Sequence, residues 1–221
     1  MSEDLTLYTH PMSRGRTARW MLEEVGAPYD VRILDYGGAM KAPAYLAINP
    51  MGKVPTLTHG EAVVTETAAI CAYLADAFPE AGLAPPANSQ SRAPYYRWLF
   101  FGAGPLEAAA TNQALGFAAA PDSKRMLGYG SLEDVLDTLE ATLSGGRYLL
   151  GDHFTAADVY LGSSLGWGMQ FGAVEKRPAF EDYWELISQR PAAVRARNLD
   201  DALVSKSQSV IEVDCINKSG T

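Results

Sequence analysis

The sequence is poor in cysteine and histidine, and this scarcity excludes several kinds of site. Among its 221 residues are two cysteines, Cys71 and Cys215, which form no C-x-x-C pair. Two cysteines are too few for a disulfide framework or a cysteine zinc site. The three histidines, His10, His59 and His153, are scattered without metal-ligand spacing. We therefore expect neither a structural metal nor a fold that depends on disulfides.

Long apolar runs and an excess of positive charge are also lacking. No apolar run approaches the roughly 20 residues of a membrane span, and the acidic start does not resemble a signal peptide. The net charge of −8 at pH 7 disfavours general nucleic-acid binding, although a local basic cluster can still hold an anionic small ligand. We expect a cytoplasmic protein without nucleic-acid or membrane partners.

Strand and helix patterns alternate through residues 1–80. Their order is β-α-β-α-β-β-α, with the last two strands joined as an antiparallel hairpin by a turn at His59-Gly60. A β-α-β unit followed by a hairpin and a final helix predicts a small α/β sandwich. Residues 81–90 are rich in Pro, Gly and Ala, which is typical of a linker between domains.

Helical patterns dominate the rest of the chain. Residues 91–204 predict an all-α bundle, whose first helix or helix pair has a kink near Pro105. The apolar segment after Thr155 is predicted to be the buried central helix, and the closing helix is broken at Pro191. Residues 205–221 show no helical period and are predicted to form a flexible tail.

A proline inside a strand pattern suggests a backbone edge that binds a peptide. Pro55 interrupts the strand-like end of "NPMGKVPTL", residues 49–57, although proline cannot donate to a sheet ladder. A cis Val54–Pro55 bond would turn the chain sharply and leave the N–H and C=O of Val54 free to pair with an extended peptide. An edge-strand proline without a ligand is the alternative interpretation.

Glu66 and Thr67 stand before a helix pattern and suit the head of an amino acid. With Thr67 as N-cap, the helix N-terminus attracts a carboxylate, and Glu66 can meet an ammonium group. Lys41 and Lys53 each offer a charge to a second carboxylate. Plain helix capping and solvated surface lysines are the alternatives. An amino-acid head, a peptide middle and a terminal carboxylate together describe glutathione.

Three motifs resemble those of the cytosolic glutathione S-transferase family, in order and over nearly the full length. They are "NPMGKVPTL", "ETAAICAYL" and "GDHFTAADVYLG", the last with a capping box predicted between Thr155 and Asp158. The resemblance implies a thioredoxin-like α/β N-terminal domain, an all-α C-terminal domain, glutathione as co-substrate and no metal. It also implies a two-fold homodimer, with contacts expected on "ETAAICAYLADAF" and "SRAPYYRWLFFGAG".

The resemblance implies roles for single residues. It assigns the cysteinyl backbone to Val54 beside Pro55, the γ-glutamyl head to Glu66 and Thr67, and the glycyl carboxylate to Lys41 and Lys53. For the second, apolar substrate the candidates are Phe101, Leu106 and Trp167, for which core packing is the alternative.

The catalytic group must lower the pKa of the glutathione thiol, because the thiolate is the nucleophile. A hydroxyl donor at a helix N-terminus does so through a hydrogen bond and the helix dipole. In "YTHPMSRGR", Ser13 matches the H-P-x-S form of serine-type family members, with Thr9 as first reserve, while Tyr8 is expected to pack in the core. An ordinary N-cap role is the alternative for Ser13. Arg14 and Arg16 either make this turn positive or are surface charges.

These residues predict a glutathione S-transferase that conjugates glutathione to an apolar electrophile. No cysteine stands at the start of the first helix, so we expect no thiol exchange through a protein cysteine. One alternative is a glutathione-dependent reductase of disulfides or peroxides. The other is a non-catalytic interaction module, because the same fold also serves that purpose.

Overall fold

The computed structural model describes residues 4–117 and 120–218. The chain divides into two compact units: the first holds the described residues up to Ile70 together with those from Pro191 onward, and the second is Cys71–Arg190. These units are groups of residues in mutual contact, and the linker predicted at 81–90 stays a prediction. No helix among the described residues is long and apolar enough to span a membrane.

A four-stranded mixed sheet forms the centre of the first unit. Its strands are β1 (Leu5–Thr9), β2 (Asp30–Ile33), β3 (Thr56–His59) and β4 (Ala62–Thr65), and its helices include α1 (Gly15–Val25) and α2 (Pro43–Leu46). Helix α3 (Thr67–Ala77) begins in the first unit, and its residues from Cys71 onward belong to the second. The strand order is β2-β1-β3-β4, with β1 parallel to β2 and antiparallel to β3, and β3 antiparallel to β4. The element order β-α-β-α-β-β-α is confirmed, and the hairpin turn lies at residues 60–61, one position later than predicted.

The alternation of side chains along β1 decides which of them reach the core. Leu5, Leu7 and Thr9 are buried, whereas Tyr8 is half-buried. Because successive strand residues point to opposite faces, Tyr8 lies on the face opposite Leu7, with its ring centroid 5.6 Å from that of Tyr45. The prediction that Tyr8 packs in the core is therefore wrong.

The long helix α9 (Pro191–Lys218) belongs to the first unit and packs along α1. Ion pairs join the two helices at Arg19–Asp200 (Nε–Oδ1, 3.0 Å), Arg16–Asp201 (Nη1–Oδ1, 2.7 Å) and Arg195–Glu23 (Nε–Oε2, 3.1 Å). The first of these pairs is buried and the other two are partly exposed. The backbone of α9 continues to Lys218 through most of the predicted tail, whose flexibility stays a prediction.

Helices build the second unit. They are α4 (Arg92–Phe101), α5 (Glu107–Ala114), α6 (Leu132–Leu143), α7 (Ala156–Gln170) and α8 (Pro178–Ser188). A π-helical turn, Gly102–Leu106, joins α4 to α5 at the predicted kink, where Pro105 has no N–H to continue a regular helix. Most residues of α7 are buried, so the prediction of a buried central helix is confirmed.

The predicted capping box at the start of α7 is also confirmed. Thr155 Oγ1 accepts a hydrogen bond from the Ala157 N–H at 3.3 Å, and Asp158 Oδ2 accepts one from the Thr155 N–H at 2.8 Å. Asp158 Oδ1 accepts from the Leu149 N–H and from the Tyr183 hydroxyl, each at 2.9 Å. Complete burial raises the pKa of Asp158, and these donors oppose that rise.

Candidate active site

The strand register brings three of the predicted site segments to one edge of the sheet. Thr56 of β3 pairs with Tyr8 on one side and with Thr65 on the other. The end of β1, the start of β3 and the end of β4 therefore lie at the same end of the sheet. The turn after β1, the Val54–Pro55 bond before β3 and the Glu66-Thr67 pair after β4 are each attached to one of these three strand ends.

The backbone of Val54 is available for pairing. The Val54–Pro55 bond is cis, as predicted. Within the described ranges, neither the N–H nor the C=O of Val54 has a hydrogen-bond partner. The preceding carbonyl of Lys53 is held by the Tyr45 hydroxyl at 2.5 Å and the Asn49 side-chain amide at 2.9 Å. The segment is thus anchored on the protein side while one peptide donor and one acceptor stay open.

The turn after β1 holds Ser13 in a defined orientation. Ser13 Oγ donates to the His10 carbonyl at 2.7 Å and accepts from the Gly15 N–H at 3.0 Å. The N-cap position of α1 belongs to Arg14, whose side chain makes no capping hydrogen bond. Ser13, one residue earlier, therefore accepts a hydrogen bond from an amide of the first helical turn and donates its single hydroxyl proton to the His10 carbonyl.

Thr9, the reserve candidate, is less accessible than Ser13. Its side chain is completely buried, whereas Ser13 is 9% exposed. Helix α1 approaches the end of β1 so closely that a Cβ on Gly15 would lie 1.8 Å from Thr9 Oγ1. Only glycine fits at this position, and the close approach covers the Thr9 hydroxyl.

Several side chains that sequence reasoning missed also hold this turn. His10 Nδ1 accepts from the Met12 N–H at 3.1 Å, and the Tyr36 hydroxyl donates to the Met12 carbonyl at 2.8 Å. The His10 and Tyr36 rings lie 4.4 Å apart between centroids, and Arg16 Nε donates to the Pro11 carbonyl at 2.5 Å. Tyr36 is 24 residues from Met12 in the chain, so no local pattern could have revealed its contact.

Glu66, which follows β4, has an unusual backbone conformation. Its φ is +67°, a value that costs a residue with a Cβ about 1–2 kcal/mol. The Glu66 carbonyl accepts from the Ile70 N–H at 2.9 Å, so Glu66 holds the N-cap position and Thr67 is the first helical residue. The prediction of Thr67 as N-cap is therefore wrong by one position. The Glu66 carboxylate is exposed and unpaired within the part of the chain that the structure describes.

The two candidate lysines differ in their engagement. Lys41 Nζ donates to the carbonyls of Met51 at 3.1 Å and Gly52 at 2.8 Å, so two of its three protons hold the turn before Val54. Lys53 is exposed, and its ammonium group has no partner among the described side chains and carbonyls. One N–H of Lys41 and all of Lys53 remain for an anion.

The three apolar candidates lie in the second unit. Phe101 and Trp167 are half-buried, with ring contacts to Trp98 at 5.2 Å and Phe171 at 5.4 Å respectively. Leu106 is only 1% exposed and packs in the core, as the alternative interpretation has it. A cavity of about 360 Å³ in the same unit is lined by none of these three residues. No group of three or more His, Cys, Asp or Glu within the described ranges is placed to hold a metal ion.

The fold and the comparisons with known proteins agree. The first unit has a thioredoxin-like sheet, and helices make up the second unit. The glutathione S-transferase N-terminal domain family matches residues 3–76, and the glutathione S-transferase C-terminal domain family matches residues 90–183. The chain belongs to the glutathione S-transferase family.

Individual relatives support this assignment. The chain is 34% identical over 175 residues to glutathione S-transferase GST-4.5 of Xanthomonas campestris pv. campestris, which covers 76% of this chain and 84% of that protein. The solved glutathione transferase from Methylococcus capsulatus has a TM-score of 0.74 at 30% identity, covering 90% and 99% of the two chains. A sphingomonad glutathione S-transferase, solved in complex with glutathione, has a TM-score of 0.73 at 29% identity, covering 89% and 98%.

Proposed function

We propose that the chain binds glutathione at the sheet edge around Val54 and conjugates it to an apolar electrophile. The observation that carries this proposal is the open N–H and C=O of Val54. Val54 precedes β3 at the end of the sheet to which the turn between β1 and α1, residues 10–14 (the Ser13 turn), and the start of α3 are also attached. An extended cysteinyl residue pairs with such a backbone edge as a short strand would. Family membership and the glutathione complex of the sphingomonad relative support the identity of the ligand.

The two ends of the tripeptide find complementary charges in the first unit. The N-terminus of α3, beginning at Thr67, attracts the γ-glutamyl carboxylate through its free N–H groups and the helix dipole. The exposed carboxylate of Glu66 pairs with the ammonium group of the same head. The glycyl carboxylate is taken by Lys53 and by the remaining N–H of Lys41.

Ser13 is proposed as the donor to the sulfur. A serine hydroxyl rotates freely, so its proton can leave the His10 carbonyl for the sulfur while Oγ still accepts from the Gly15 N–H. A thiolate is a charged acceptor and makes the stronger bond. The thiol proton passes to solvent, the sulfur forms a bond to the electrophilic carbon, and the leaving group departs with its electron pair. Thr9, fully buried, is the second choice.

The apolar substrate is proposed to contact residues of the second unit. Phe101 and Trp167 are half-buried aromatic residues with surface left to cover. Leu106 would have to emerge from its core position to contribute. Transfer is favoured over reductase chemistry, because the turn carries no cysteine and Cys71, buried in the structure, has its pKa raised by that burial.

Calorimetry with glutathione and turnover of an aryl halide test the proposal directly. We expect binding together with faster turnover of the aryl halide than of a model disulfide. Preferred turnover of the disulfide would favour the reductase. Absence of binding at millimolar glutathione would contradict the proposal and favour an interaction module.

The sulfur donor is tested by titrating the thiolate absorbance of bound glutathione against pH. Ser13→Ala is expected to raise the pKa of the bound thiol by about one to two units, since a hydrogen bond to a charged partner is worth about 1.5–3 kcal/mol. Glutathione affinity should change little. Matched variants are Thr9→Ala and Tyr8→Phe. If either of these moves the titration while Ser13→Ala does not, the assignment of Ser13 is wrong.

We also infer a cytoplasmic homodimer that uses α4. Tyr96 and Phe100 are 42% and 73% exposed and lie one turn apart on one face of this helix, where large apolar side chains suit a partner surface. Light scattering should show twice the chain mass of 23.8 kDa. Phe100→Glu should yield the monomer, while Phe171→Glu, at a residue 60% exposed, should not. A wild-type protein that is monomeric at micromolar concentration would contradict this.

A further inference from the structure

We propose that Arg16 is a positioning residue that fixes the Ser13 turn by tying it to helix α9. This inference rests on the proposed function of that turn. Arg16 Nε donates to the Pro11 carbonyl inside the turn at 2.5 Å, and Nη1 of the same guanidinium bonds to Asp201 Oδ1 at 2.7 Å. One planar group thus links the turn to a helix that begins about 180 residues later in the chain.

The guanidinium geometry makes this link rigid. Nε and Nη1 lie in one plane and point in fixed directions, so the Pro11 carbonyl and Asp201 are held in a set relation. The side chain of Arg16 is only 19% exposed, which limits exchange of its partners with water. Lysine carries the same charge but has no fork, so it cannot hold both partners in the same arrangement.

The Pro11 carbonyl is closely coupled to the group that orients Ser13. Ser13 Oγ donates to the carbonyl of His10, the residue before Pro11. The proline ring fixes φ between these two carbonyls, so only ψ of Pro11 remains to vary. Fixing the Pro11 carbonyl therefore restricts the His10 carbonyl, and with it the rotamer of Ser13.

Helix α9 is a suitable anchor because other contacts hold it on α1. Asp200, next to Asp201, forms the buried ion pair with Arg19. A third ion pair joins Arg195 to Glu23 farther along the helices. Asp201 therefore stands on a docked element rather than on a loose surface.

Position, rather than charge, is the contribution we assign to Arg16. The charged and titratable groups on or against the turn are His10, Arg14 and Arg16 themselves, the Tyr36 hydroxyl on the Met12 carbonyl, and Asp201 from α9. The charge of Arg16 is largely balanced by Asp201 at 2.7 Å, which weakens its field at the sulfur. The same contact orients the guanidinium toward the turn.

The experiment compares Arg16→Gln, Arg16→Lys and Asp201→Ala with Arg195→Gln. The control variant breaks an ion pair between the same two helices that does not touch the turn. We expect the first three variants to raise the pKa of the bound glutathione thiol by about one unit. At pH values below that pKa, kcat should fall about tenfold, while affinity for glutathione stays within about twofold of wild type. The control should behave as wild type. A double variant, Arg16→Gln with Asp201→Ala, should be no worse than Arg16→Gln alone.

Three kinetic results would overturn the inference. Wild-type behaviour of Arg16→Lys would show that charge suffices, additive losses in the double variant would show that Asp201 acts separately, and an equal loss in Arg195→Gln would show general loosening of α9. Amide hydrogen exchange without glutathione separates this inference from the proposed function. Arg16→Gln should speed exchange of the Gly15 N–H, which Ser13 Oγ now holds; unchanged exchange refutes the positioning role. Failure of the wild type to bind glutathione refutes the proposed function instead.

Discussion

The buried ion pair between α1 and α9 makes a quantitative prediction about stability. Asp200→Ala should lower the free energy of unfolding by about 3–5 kcal/mol, because it leaves a buried charge on Arg19 without its partner. Arg19 and Asp200 are 3% and 0% exposed, so little water can replace the lost carboxylate. The remaining side-chain contact of Arg19, to the Tyr29 hydroxyl, is long at 3.5 Å and neutral. Against a typical total of about 5–15 kcal/mol, this loss is large.

Replacing both Arg19 and Asp200 with apolar residues should not lower the free energy of unfolding. Burial raises the pKa of Asp200 even with Arg19 beside it, so its charge is itself unfavourable in this environment. Arg19 Nη2 and Asp200 Oδ2 also have no hydrogen-bond partner in the described part of the chain. An apolar pair of similar volume, Arg19→Met with Asp200→Leu, should therefore be neutral or stabilising. The two single variants should each be strongly destabilised, so their effects cannot add.

Urea unfolding followed by circular dichroism measures all of these free energies. Arg195→Gln, which breaks the pair of a side chain 54% exposed, provides the matched surface control and should cost at most about 1 kcal/mol. A loss below about 1 kcal/mol for Asp200→Ala, or additive losses around the double-mutant cycle, would refute the reasoning from burial.

Three further outcomes follow from single positions. Glu66→Gly should stabilise the fold by about 1 kcal/mol, measured by urea unfolding, since glycine tolerates a φ of +67°. The same variant should weaken glutathione binding at least about tenfold, measured by calorimetry, because the carboxylate is lost. Unchanged affinity would contradict the role of the carboxylate. Gly166→Ala should lower the free energy of unfolding by about 1–3 kcal/mol, because its Cβ would lie 2.7 Å from the ring of Trp184. Gly104→Ala should not destabilise the fold, because the space around Gly104 is open. Equal thermal midpoints of the two variants would refute this prediction. Cys71, fully buried with a pKa raised by burial, should resist alkylation in the native protein and react after denaturation; peptide mapping that finds it labelled in the native protein would contradict its burial.

Features whose partners lie a few residues apart could be predicted from the sequence. The capping box joins Thr155 to Asp158 within one helical turn, and residue types at that spacing carry the signal. The hairpin was predicted to within one residue, because alternating strands and a glycine turn are local patterns. The prediction for Tyr8 was wrong, since alternation gives two faces but does not say which of them meets α1.

Candidate site residues could be named from the sequence, but their contacts could not. The motif around Val54 and the pair Glu66-Thr67 suggested a peptide-binding edge beside a helix end, and the register of β3 and β4 attaches both segments to the same end of the sheet. The sequence could not show that Lys41 donates to the carbonyls before Val54, or that the Ser13 proton lies on the His10 carbonyl. Hydroxyl and ammonium groups have several acceptors within reach, and only the folded backbone selects among them.

Sequence alone specifies the order of strands and helices and the chemistry available at the turn, because both depend on neighbours in the chain. Only tertiary structure decides that α9 joins the first unit and that Arg19 meets Asp200, its partner 181 residues away. The chain has 18 lysine and arginine residues and 26 aspartate and glutamate residues, so many ion pairs are equally compatible with the local sequence. Docking of α1 and α9 selects one of them, since it removes water from Arg19 and Asp200 and holds the two groups within bonding distance.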